Sequence, residues 1–173
     1  MQETNHDIAE KQSFMQRYKP LFVIIATVAF SAAALAFVAS GGRMHRFMES
    51  FMGLFFINFA MFKLIDLKGF VKGFTLYDFI AKRSRIYAFF YPFIEFGLGL
   101  LYLIAFAPMI TNSITLLLML ISGFGVIKAI ITSDEQLQCA CLGTRLNVPL
   151  STVSVIENFG MAVMAFFMLW QGL

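Results

Sequence analysis

Cys139 and Cys141 stand one residue apart in a short polar stretch, Gln138-Cys139-Ala140-Cys141-Leu142-Gly143, between two long apolar segments. They are the two cysteines of a 173-residue chain. Two thiols at this spacing can exchange disulfides with a partner, or clamp one soft, low-coordinate cation such as Cu(I) or Hg(II). In an extended loop their Cα atoms lie near the upper limit for a relaxed disulfide, roughly 4.4–6.8 Å. A Cys139–Cys141 disulfide would therefore be strained and readily reduced, which suits exchange rather than stapling. The bland alternative is a pair of small buried hydrophobes that never react. Their place beside Gly143 in a polar loop argues against it.

Three charged residues stand near or inside apolar segments and are candidates to work with the thiols. Glu95 lies in Tyr91-Pro92-Phe93-Ile94-Glu95-Phe96-Gly97, about nine residues into a span, or ~14 Å deep at 1.5 Å per residue. A carboxylate at that depth needs a partner, a proton or a polar cavity. Pro92 frees a backbone carbonyl one turn away, and Tyr91, Glu95, Gly99 and Tyr102 share a stripe expected to meet other helices. Lys128 and Glu157 flank the cysteine loop. Lys128 there would favour the thiolate, and Glu95 or Glu157 would serve as proton partner. A Lys128–Glu157 ion pair closing the helical hairpin is the alternative. Ser154, Glu157, Met161, Met164 and Met168 step by three and four. Met161 and Met164 below the thiols would extend a soft-metal path, although such a stripe also packs helix interfaces.

The elements that must position these residues belong to a membrane. The chain is 60% hydrophobic and 13% charged, with 22 Phe and 11 Met, whereas a soluble domain has about a quarter of its residues charged. Two cysteines are too few for a disulfide framework or a four-thiolate zinc site. There is no phosphate loop, Rossmann fingerprint, HExxH or serine nucleophile motif. The basic residues form no aromatic-interleaved patch on a soluble face, which argues against nucleic acid.

Leu21–Ala39 is an uninterrupted apolar run, long enough for a ~30 Å hydrocarbon core, and follows a polar tail at 1–19. A cleaved signal peptide is the rival reading, but the leader and apolar core are both too long for one. Further spans are expected at Phe47–Ile65, Ile86–Phe106, Met109–Ile131 and Thr152–Leu169. In the second, Glu49 and Lys63 can snorkel to the interfaces. Asn58 and Asn158 are expected to bond between helices. The basic stretch 66–85 places Phe70, Phe74, Tyr77 and Phe79 at helical spacing, which suggests a helix lying in the interface. Trp170 anchors the last span. With five spans, 11 of the 13 Lys and Arg fall on one side and Arg43 and Arg46 on the other. The N-terminus and the CxC loop are therefore expected on the cytoplasmic side of a cytoplasmic (inner) membrane.

These residues resemble a known family. Phe51-Met52-Gly53-Leu54-Phe55 through Lys63-Leu64, then Gly69-Phe70, resembles the opening helix of DoxX-like membrane proteins. Tyr77-Asp78, Tyr91-Pro92, Glu95 and Cys139-Ala140-Cys141-Leu142-Gly143 look like the MauE branch, the methylamine-utilisation membrane proteins. The resemblance covers about 47–172, with the polar tail at 1–19 and the helix at 20–42 as additions. It implies an all-α integral membrane fold: a four-helix DoxX/MauE-like bundle plus one N-terminal transmembrane helix, with the CxC loop at 132–150. It also implies thiol redox, in support of a disulfide-rich enzyme subunit. Ala140 and Leu142 stand where the family pattern has Gly and Phe, and there the loop is more similar to proteins found with heavy-metal-associated domains.

Three functions follow. The first is disulfide or electron exchange between Cys139/Cys141 and a thiol-containing protein partner. The second is binding or transport of a soft metal such as copper or mercury, received from a metal-carrying partner. The third is a structural assembly subunit whose loop docks a partner.

Overall fold

In lipid every backbone polar group must be satisfied internally, and a helix does so within one segment. The computed structural model describes residues 3–39, 42–132 and 150–172, and these are helical with short connections. Six helices follow in order: α1 Glu3–Val38, α2 Arg43–Ile65, α3 Leu67–Tyr77, α4 Arg85–Leu103, α5 Pro108–Thr132 and α6 Leu150–Trp170. Leu21–Val38, Arg43–Ile65, Arg85–Leu103 and Pro108–Lys128 are long and apolar enough to cross a membrane. A shorter apolar stretch, Ser154–Trp170, lies in α6. The chain is an all-α membrane protein.

The first four spans expected from hydropathy coincide with the membrane-length stretches of α1, α2, α4 and α5 to within a few residues, and the fifth, Thr152–Leu169, falls on α6, whose apolar stretch Ser154–Trp170 is shorter. The leader differs. Residues 3–19, expected as a polar tail, continue the first helix without a break. Glu, Lys, Gln and Ala in the leader are good helix formers, so the backbone continues where hydropathy stops.

Packing in a bilayer depends on close approach, because lipid tails are as apolar as the helix surfaces. Gly53 and Gly99 provide it between α2 and α4. A Cβ on Gly53 would lie 2.9 Å from the Gly99 carbonyl oxygen, and one on Gly99 would lie 2.8 Å from Ile57 Cγ1. α5 and α6 run antiparallel side by side, with Gly123 facing Asn158 and Phe159, while α1 lies on α2. The main core gathers Met52, Phe56, Phe59, Met119, Met161 and Met168, all buried, with Phe55 stacked on Phe59 at 4.3 Å.

α3 caps one end of this bundle. Asp66 accepts from the Gly69 amide at 3.1 Å and so holds its first turn. Phe70 and Phe74 are buried against Tyr91 of α4, with the Phe74 and Tyr91 rings 4.5 Å apart. Of the stretch 66–85, expected as a helix lying in the interface, Leu67–Tyr77 is helical, with Phe70 and Phe74 facing protein while Phe79 is exposed. Asp78 shapes the turn into α4, its Oδ1 accepting from the Ile80 and Ala81 amides at 2.9 and 2.8 Å. Ser84 then caps α4 by accepting from the Tyr87 amide.

Helix alternation puts the end of α2, α3, the start of α4, the end of α5 and the start of α6 together. The cysteines belong to the segment joining those ends of α5 and α6.

Candidate functional site

The last turn of α2 contributes Lys63, which is 2% exposed. Side chains on a helix lean toward its N-terminus, so Lys63 leans back into the bundle from the end of α2. Glu95 leans the opposite way, toward the start of antiparallel α4, and the two meet. Lys63 Nζ donates to both Glu95 carboxylate oxygens at 2.6 Å. It also reaches Glu157 Oε1 on α6 at 3.4 Å. Glu95 is 1% and Glu157 5% exposed, so one ammonium and two carboxyl groups tie three helices together away from water.

Aromatic faces roof this triad. Lys63 Nζ lies 5.3 Å from the Tyr91 ring centre and 5.7 Å from that of Phe70, so the cation is held by π faces as well as carboxylates. The Tyr91 hydroxyl lies beside Glu95 and Ser122. Asn158 donates to the Ser154 carbonyl at 2.8 Å, so it bonds within α6 rather than between helices. Asn58 likewise donates within α2, to Leu54. One acceptor, Glu157 Oε2, is buried with no hydrogen-bond partner among the described residues. Two carboxyls around one ammonium, with an acceptor to spare, form a cluster able to hold and pass a proton over short contacts.

Several expectations change here. Lys63, expected to snorkel outward, is the centre of the buried cluster. Glu157 was expected to pair with Lys128 if the hairpin closed on an ion pair. Its cation is Lys63 instead, and Lys128 stands 5.1 Å over the Phe79 ring at the exposed end of α5. Glu49, also expected to snorkel, is 2% exposed. It is held from its own helix by Arg46 at 2.9 Å and His45 Nε2 at 3.1 Å. At that far end of the bundle Tyr102 donates to Asn112 Oδ1 at 2.8 Å.

The stripe Tyr91–Glu95–Gly99–Tyr102 is buried against other helices, as its spacing implied. Met161 and Met168 are enclosed in the apolar core, and Met164 is half-buried against it. Cys139 and Cys141, and Arg145 with them, lie outside the described residues. Among the described residues no group of three His, Cys, Asp or Glu side chains is placed to hold a metal ion. Sequence reasoning missed Lys63, yet a signal was available. Two carboxylates inside spans demand a cation, and the last turn of α2 holds one at their end of the bundle.

Fold and site together define a multi-pass helical membrane protein with a buried ion-pair cluster at one end of its bundle. The family described as Methylamine utilisation protein MauE matches residues 22–171, and the chain belongs to it. That match takes in α1 as well as the helices that follow. Comparison with curated proteins and with solved structures found no match.

Proposed function

We propose that this MauE-family protein is a membrane thiol-exchange partner, with Cys139 and Cys141 as its redox pair and the Lys63–Glu95–Glu157 cluster as its proton partner. The observation that carries the reading is where the charges converge. α2, α4 and α6 gather them toward the end from which α5 leaves and α6 starts, and the segment between those ends carries both thiols. In the exchange, a thiolate of the pair attacks a disulfide of the partner protein and forms a mixed disulfide. The second thiol resolves it, leaving a Cys139–Cys141 disulfide and two thiols on the partner. Two electrons and two protons move together, so no further oxidant or reductant enters the step. Lys128 at the end of α5 stabilises the thiolate. The family description supports a partner among the proteins of methylamine utilisation.

With the basic residues setting orientation, the loop faces the cytoplasm across the cytoplasmic membrane, where the resting pair is the dithiol. Labelling intact cells with a membrane-impermeant maleimide tests this: protection before lysis and reaction after it are expected. Labelling from outside would reverse the orientation. The exchange itself is tested with Cys139→Ser and Cys141→Ser. One of the two should accumulate a reductant-sensitive mixed disulfide with a protein partner. If neither does, and the reduced protein binds one Cu(I) or Hg(II) that the double Cys→Ser variant does not, the thiols serve soft-metal transfer instead.

A further inference from the structure

We infer that the outer face of α3 forms a binding site for one anionic glycerophospholipid, separate from the buried charge cluster. The inner face of α3 is used up by Phe70 and Phe74 against Tyr91. Its outer face presents Lys68, Val71, Lys72, Thr75 and Leu76, positions that recur at three- and four-residue spacing along one stripe. This stripe forms one wall of a groove of about 920 Å³ between the end of α2, α3 and the start of α4.

The groove is amphipathic in a specific way. Leu64 and Ile65 from α2, Val71 and Leu76 from α3, and Phe89 from α4 give it aliphatic and aromatic walls. Ile65 is 72% and Phe89 45% exposed, so those walls are open for contact. Lys68, Lys72 and Arg85 stand around the same groove, and among the described residues none has a carboxylate within salt-bridge distance. Asp66 is the acidic residue of the lining, and its Oδ1 is engaged by the Gly69 amide. The Thr75 hydroxyl donates within α3, to the Val71 and Lys72 carbonyls, and so adds no demand for a ligand donor.

Three cations beside an apolar trough match a phosphodiester joined to acyl chains. The trough lies where transmembrane helices end, at the level at which headgroups meet hydrocarbon. A zwitterionic lipid would satisfy the walls but bring its own cation among the lysines. A soluble anion would satisfy the lysines and leave the walls bare.

The test is native mass spectrometry of the whole chain released from mixed micelles holding equal amounts of phosphatidylglycerol and phosphatidylcholine. Retention of one phosphatidylglycerol in clear preference is expected. Each basic contact near an anionic surface contributes roughly five-fold in affinity. Lys68→Gln/Lys72→Gln/Arg85→Gln together should therefore bring the preference close to one. Lys82→Gln/Arg83→Gln, neutralising exposed cations outside the groove, should leave it unchanged. All five side chains are exposed, so folding is not at stake, and helical circular dichroism checks that. Equal retention of the two lipids by the unmodified protein would overturn the site. So would a preference that survives the triple substitution, or one lost equally with Lys82 and Arg83, which would indicate diffuse surface attraction.

Discussion

Lys63→Met is the substitution on which the charge cluster stands or falls. It removes the cation and leaves the Glu95 and Glu157 carboxyls facing one another in a site where each is 5% exposed or less. At an effective dielectric of about 20, opposite unit charges attract by about 6 kcal/mol at the 2.6 Å contact and about 5 at 3.4 Å, before desolvation is counted. Desolvation cancels much of that. What remains on deleting one member of a buried ion pair is a loss of about 3–5 kcal/mol. Glu95→Gln should cost less, because Glu157 remains to hold the ammonium. Glu157→Gln should cost least, since it gives up one contact at 3.4 Å and its Oε2 has no partner among the described residues. Lys63→Met/Glu95→Gln/Glu157→Gln removes every charge at once and should return to within about 1–2 kcal/mol of the unmodified protein. Reversible unfolding in mixed micelles of increasing sodium dodecyl sulfate content, followed by helical circular dichroism, measures the series. A Lys63→Met protein as stable as the original would refute the reasoning. A triple variant no better than that single one would refute it too, because the cluster would then not be one charge-balanced unit.

Glycine packing gives a second expectation. Gly53→Ala or Gly99→Ala puts a Cβ within 3 Å of backbone and side-chain atoms of the facing helix, and should cost about 1–3 kcal/mol in the same assay. Gly97→Ala, with nothing within 4 Å, should be neutral, and equal losses at all three positions would exclude close packing as the cause. Asp78 carries a pH dependence: burial pushes its carboxyl above the ordinary 3.8, although the Ala81 and Ile80 amides pull the other way. The folded chain then binds this proton more tightly than the unfolded one. Stability from this group is full below about pH 4 and falls as pH rises through the raised value. Asp78→Asn should flatten that fall in thermal midpoints measured from about pH 4 to 8. A steeper fall in the variant would reverse the sign of the argument.

Much of the fold was legible because hydropathy reads one helix at a time. A run such as Leu21–Val38 spans a bilayer by composition and length alone, whatever its neighbours do. The buried stripe through Tyr91, Glu95, Gly99 and Tyr102 was legible for a related reason, since helical period fixes which residues share a face. Lys63 was not. A lysine in the last turn of an apolar helix reads as an outward snorkel, and only the packing of α3 and α4 over that turn closes off the outward path. The partner of the α3 aromatics was not legible either. Spacing shows that Phe70 and Phe74 share a face, but not whether lipid or Tyr91 covers it.

By itself the sequence determined the class of the protein: a helical membrane chain of the MauE family with two thiols one residue apart between its last two apolar segments. The partners of its intramembrane charges were decided by the tertiary structure. Lys63 meets Glu95 across 32 residues of chain and Glu157 across 94. Over such separations no local period relates the side chains. The close Gly53–Gly99 contact and the antiparallel lean of side chains on α2 and α4 set which charges meet.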